Sequence, residues 1–296
     1  MKYTQLGNTG YQISRIAYGG IVSMDDGQEA SDRYVAWAID QGVNYFDVAP
    51  ALAYGDAQEK MGNSLVPYRK NVYLACKTEN RRYAEAEKDL IGSLKMLHTD
   101  YLDVYQMHHM ETVEDVETAF GPNGVMELMV KLKKEGVVRR IGMSVHNEEI
   151  GLMALERYPF DTVLYPFNWH MNMAHGAGNA LIEKRGEKGF GLLCMKSMIE
   201  RAWKDGDEQA KAKFHKSWCK PIDPDEDAEL LLAAMKYALS LGVDTLIPPG
   251  NYRHFSFAVE HLDKALEPMT DREKQLLASR LETVKDYPFF VNGLPA

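Results

Sequence analysis

Cysteine is scarce in this chain: Cys76, Cys194 and Cys219 are its three thiols in 296 residues, and they lie far apart. No C-x-x-C pair occurs, which argues against a disulfide framework or a zinc ribbon and fits a reducing compartment. Long apolar runs are also missing, because no stretch reaches the eighteen residues that a membrane-spanning helix needs. There is no Lys/Arg block and the net charge is −9, so nucleic acid and anionic membrane are not expected as partners. The opening "MKYTQLGNTGYQ" has no apolar core of a secretory leader, and the expected location is the cytoplasm. A G-x-G-x-x-G after the first strand-like run is lacking too, which counts against a doubly wound dinucleotide domain.

What is present is an alternation. The apolar fraction of 45% and charged fraction of 26% are those of a globular chain with a large core. Short runs rich in β-branched and aromatic residues predict strands at 15–19, 43–47, 71–76, 102–107, 138–143, 161–165, 190–195 and 243–247. Helical patterns lie between them, several ending at a stop glycine (Gly42, Gly136, Gly242). "YTQLGNTGYQISR" reads as a preceding hairpin turning at Asn8–Thr9–Gly10. Eight strands alternating with helices predict a parallel sheet, and eight is the number that closes a barrel. The expected fold is therefore α/β, a (β/α)8 TIM barrel with an N-terminal β-hairpin. It is taken as one domain over 1–296, with residues 199–227 as a polar, lid-like insertion after the seventh strand.

In such a barrel the site lies at the C-terminal ends of the strands. The residues just past each run are Gly19–Gly20, Asp47, Lys77, His108, Ser144, Tyr165, Lys196 and Pro248–Pro249–Gly250. Singly these have ordinary readings: Asp47 a turn former, Lys77 a snorkelling surface lysine, His108 a satisfied core group, Tyr54 a loop tyrosine. An acid, a lysine and a histidine ending three successive strands, with Tyr54 on the intervening loop, would converge. Together they suit proton delivery. An ammonium beside a phenol stabilises the phenolate and lowers a pKa otherwise near 10, a carboxylate holds that ammonium, and a histidine orients a carbonyl oxygen.

The segments "NYFDVAPALAYGDAQEKMG", "VYLACKT", "TDYLDVYQMHH", "EGVVRRIGMSVHN" and "VDTLIPPGNYRHF" resemble, in order and spacing, the aldo-keto reductase superfamily. The resemblance covers nearly the whole chain. It implies a nicotinamide cofactor, no metal, and a catalytic tetrad matching Asp47, Tyr54, Lys77 and His108. Tyr54 falls seven residues after Asp47, two more than in the family, so the loop must bulge to bring the hydroxyl back to Lys77. Cofactor contacts carry over to Gly20, Asp47, Ser144, Tyr165 (where the family has glutamine), Met195 (where an aromatic often stacks on the nicotinamide), Lys196, Pro248 and Gly250. Val145 stands where the family has asparagine. Arg253 is the candidate clamp for a 2′-phosphate, which favours NADP(H) over NAD(H).

The expected activity is a NAD(P)H-dependent oxidoreductase acting on a small carbonyl or alcohol, with His109, Met110, Trp169 and Trp203 lining the pocket. Three rival readings stay open. His108, His109, His146 and His170 near strand ends suggest a metal-dependent barrel isomerase or hydrolase, although no carboxylate cluster accompanies them. Lys77 could form a Schiff base. A catalytically impaired barrel could bind nucleotide in a regulatory role.

Overall fold

Each of the eight apolar runs becomes a parallel strand around one barrel. The computed structural model describes residues 1–289. The hairpin comes first, with β1 (Tyr3–Gln5) paired antiparallel to β2 (Gln12–Ser14). The barrel strands are β3 (Tyr18–Gly19), β4 (Tyr45–Asp47), β5 (Tyr73–Thr78), β6 (Leu102–Met110), β7 (Val138–Val145), β8 (Thr162–Tyr165), β9 (Gly191–Met195) and, after a short pair β10 (Ile199–Arg201) and β11 (Lys220–Pro221), β12 (Thr245–Ile247). They run in the order β12-β9-β8-β7-β6-β5-β4-β3. A parallel bridge between Ile16 and Leu246 joins the two ends, with the Ala17 N–H donating to the Leu246 carbonyl at 2.9 Å.

Two apolar layers follow from the period of two along each strand. Inside the barrel lie Tyr45, Ala75, Val104, Leu164, Leu193 and Ile247, closed below by Leu6 and Ile13 of the hairpin. The alternate residues (Phe46, Leu74, Cys76, Tyr105, Met143, Cys194) face the helices and form the larger cluster. Each wholly buried leucine or phenylalanine there contributes about 1.5–3 kcal/mol. Helices end where glycine permits a left-handed residue: Val125–Glu135 stops at Gly136 with φ +79°.

Residues 199–227 carry more regular structure than a bare loop. β10 pairs antiparallel with β11, and a helix, Glu208–Lys213, lies between them. Arg201 clamps Asp207 through two hydrogen bonds of 2.6 and 2.8 Å, both side chains being buried. Lys216 reaches across to Asp26 at 2.6 Å and ties the segment to the loop after β3. Among the described residues, no helix is long and apolar enough to cross a membrane.

Candidate active site

Strand alternation decides which of the expected residues meet. In β4, Tyr45 points into the barrel and Phe46 out, so Asp47 points in. The same step leads from Ala75 to Lys77, from Val104 through Gln106 to His108, and from Leu193 to Met195. Met143 faces the helices, which turns Ser144 inward.

Lys77 is wholly buried and its ammonium is ion-paired with Asp47 Oδ1. The second Asp47 oxygen accepts a hydrogen bond from Gln106 Nε2 at 2.7 Å, and Lys77 also donates to the Val48 carbonyl at 3.3 Å. A buried ion pair holds only if the remaining valences are satisfied, and Gln106 and Val48 do this. Burial alone would lower the Lys77 pKa. The Asp47 carboxylate and the Tyr54 phenol outweigh it, so the ammonium is held above its usual range.

The longer Asp47–Tyr54 interval does not bulge loosely. It winds into one helical turn, Ala51–Tyr54, entered at Pro50 and stopped by Gly55 at φ +52°. The Tyr54 N–H donates to the Pro50 carbonyl at 3.1 Å. That turn brings the ring centroid to 5.3 Å from Lys77 Nζ and sets the His108 ring edge-on to it at 6.0 Å. Burial raises the Tyr54 pKa; Lys77 opposes this by charge and hydrogen bonding, while Asp47 adds to the rise, and the net direction is upward. The lowered phenol pKa expected from a neighbouring ammonium is thus corrected. Lys77 does pull it down, but Asp47 neutralises much of that charge and desolvation wins.

His108 Nδ1 lies 3.2 Å from Glu79 Oε1. Burial lowers the imidazole pKa, and the Glu79 contact only partly restores it, so the ring is neutral near pH 7. Beside it, β6 shifts register between Met107 and Met110, and His109 takes φ +54°. Arg81 grips the carbonyls of His108 and His109 at 2.6 and 3.0 Å and is itself held by Asp115 at 2.9 Å.

A cavity of about 530 Å³ opens over these groups, within the usual range of small-molecule sites. Tyr54, His108, Met195, Lys196, Pro248 and Gly250 line it. Ser144 Oγ is buried with no hydrogen-bond partner among the described residues, as is Asn251 Nδ2 at the start of the helix Tyr252–Glu260. Gly250 leaves no room for a Cβ, which would run into Ile21 and Lys216. Gly20 is packed as tightly, against Val48. Lys196, at φ +60°, lies 2.7 Å from His146 Nε2. Burial brings its pKa down to about 8.

Five expected residues lie elsewhere. Tyr165 is one step past inward-facing Leu164, so it faces the helices and packs on Phe167 at 5.0 Å. Arg253 is half-exposed and paired with Asp225 at 2.9 Å, off the cavity wall. Trp169 is wholly buried, donating to the Ile199 carbonyl at 3.2 Å, and Trp203 donates to the Ser217 carbonyl at 3.0 Å. Met110 is also buried in the outer layer. Of the histidines weighed for a metal, His170 is remote from the others, its Nδ1 at 2.9 Å from the Glu200 carbonyl.

Among the residues that the sequence reading missed are Gln106, Glu79 and Trp218. Gln106, two residues before His108 on β6, was legible by parity, and Glu79 stands two residues after Lys77, just past the end of β5. Trp218, tilted over Tyr54 at 6.0 Å, carried no such signal.

A parallel barrel with an acid, a lysine, a tyrosine and a histidine gathered at its mouth defines a class, and comparison with known proteins agrees. Residues 16–248 match the model of the Aldo/keto reductase family, and the chain belongs to that family. It is 33% identical over 187 residues to the aldo-keto reductase YhdN of Bacillus subtilis, a match covering 57% of this chain and 54% of that protein. It is 32% identical over 125 residues to the methylglyoxal reductase YeaE of Escherichia coli, covering 40% and 42% respectively. The chain spans about half the length of the curated relatives it matches. In fold it is similar to the aldo-keto reductase AKR11C1 of Bacillus halodurans, with a TM-score of 0.71, 20% identity and 99% of each chain covered.

Proposed function

We propose that the chain is an NADP(H)-preferring oxidoreductase of the cytoplasm that interconverts a small carbonyl compound and its alcohol, with Tyr54 as the acid/base. The observation that carries this reading is the buried Lys77–Asp47 pair placed under the Tyr54 ring, beside His108, at the floor of the cavity. When bound, a nicotinamide supplies hydride chemistry at the carbonyl carbon. Tyr54 holds the proton that the oxygen receives, and Lys77 stabilises the phenolate left behind. Asp47, fixed by Gln106, keeps Lys77 charged and in place. With its Nδ1 turned to Glu79, neutral His108 offers a lone pair at Nε2 to an alcohol hydroxyl. Once protonated, it donates there to a carbonyl oxygen.

The residues present fit the nucleotide. The unspent Ser144 hydroxyl suits a carboxamide, and the Met195 thioether can pack on a ring face. Asn251, Gly250 and the helix start at Tyr252 suit a phosphate. The preference for NADP(H) rests on the family resemblance, since Arg253 is paired with Asp225 off the cavity wall and Lys196 lies against His146. Residues 199–227, which supply Lys216, Trp218 and Cys219 to the wall, serve as the cover of this single-domain barrel. Titration with NADPH and NADH, following nicotinamide fluorescence, tests the reading. Saturable binding tighter for NADPH is expected, and no binding of either would overturn it.

A further inference from the structure

One group of side chains in the cavity takes no part in the proton relay. His109 Nε2 lies 2.8 Å from Glu111 Oε1, and His146 Nδ1 lies 3.8 Å from the same oxygen. The two imidazole rings meet edge to face at 4.5 Å. One ligand atom from each of the three residues falls within 4.8 Å of the others. We propose that His109, Glu111 and His146 form a binding site for one divalent transition-metal ion of the zinc class at the substrate end of the cavity.

The geometry suits the ion. A tetrahedral zinc ion with bonds of about 2.0–2.1 Å holds its ligand atoms about 3.3–3.4 Å apart. The observed separations straddle that value, so small rotations of two half-exposed side chains complete the site. Two imidazoles and one carboxylate favour zinc, copper, nickel or cobalt over magnesium and calcium, which prefer oxygen. Three protein ligands leave a position open toward the cavity.

The chain is also shaped to make this cluster. In a regular strand His108 and His109 would point to opposite faces. The register shift in β6 and the left-handed backbone at His109, held by Arg81, turn both rings to the mouth. His146 is buried, its ring oriented by the Lys196 contact at Nε2, which leaves Nδ1 facing Glu111. A bound ion stands next to His108, whose ring lies 6.2 Å from that of His109, and narrows the approach to Tyr54. Occupancy therefore slows turnover.

The test is titration of untagged, chelator-treated protein with Co2+, read by visible absorption, followed by displacement with Zn2+. One cobalt per chain with a four- or five-coordinate spectrum is expected. H109Q and E111Q should each weaken binding at least tenfold, while circular dichroism shows both variants folded. The absence of a cobalt spectrum, or unchanged binding in both folded variants, would overturn the site. Nucleotide binding is read separately by fluorescence, so failure here is distinguishable from failure of the oxidoreductase reading.

Discussion

Lys77 carries its charge wholly buried inside the barrel, and the groups near it are arranged around that fact. Its nitrogen is spent on Asp47 and the Val48 carbonyl, and it lies 5.3 Å from the centre of the Tyr54 ring. Lys77→Met strands a buried carboxylate and should destabilise the fold by about 3–5 kcal/mol. Adding Asp47→Asn should recover most of that stability but none of the activity, which falls about 10²–10⁴-fold when acid–base catalysis is lost. Urea unfolding and turnover of the single and double variants check this. His108 gives a pH dependence. Its pKa lies below the ordinary 6.5 because of burial, so the imidazole gains its proton at lower pH than a free one does. Carbonyl reduction, which needs the Nε2 proton, should therefore gain in kcat/KM as pH falls through that lowered value, and alcohol oxidation should lose. Glu79 raises this pKa, so Glu79→Gln should move both limbs to lower pH, which NMR titration of the imidazole would follow.

The turn Ala51–Tyr54 and the segment after β9 make separate claims at the level of elements. Gly55, at φ +52° and ψ −128°, is in a region that side chains avoid. Gly55→Ala should cost about 1–3 kcal/mol and lower turnover by displacing Tyr54, with nucleotide affinity retained. In the segment after β9, the Arg201 clamp brings the Asp207 pKa down to about 2 from 3.8. A depressed folded pKa means that the stabilisation, about 2 kcal/mol, is present above pH 3.8 and lost as pH falls toward about 2. Asp207→Asn should remove it at pH 7, as thermal unfolding would report. The strands were legible because parallel barrel strands are short apolar runs between breakers, and their polar ends mark the mouth. Parity within a strand was equally legible: from inward-facing Val104 it yields Gln106 and His108, and from Leu164 it turns Tyr165 away. The shift that aims His109, the turn that returns Tyr54 and the choice of Trp218 over Trp203 depend on packing between distant segments, which no local pattern encodes. Arg253 illustrates the limit: its fork could reach a phosphate or Asp225, and only the fold decides.

At the scale of the molecule, the barrel brings four side chains from β4, its following loop, β5 and β6 to one floor, with Met195 of β9 and Ile247 of β12 on the wall of the cavity above it. Such a site depends on closure, because β3 and β12 are far apart in sequence and the ends of the sheet are joined by the Ile16–Leu246 bridge. The central claim is that one phenol proton, under the field of a buried ammonium, completes the reaction. The most direct measurement is turnover of Tyr54→Phe with a panel of aldehydes and ketones at saturating NADPH, in samples whose nucleotide affinity is measured alongside. The account predicts at least a hundredfold loss with nucleotide binding unaltered; turnover at the wild-type rate would contradict it.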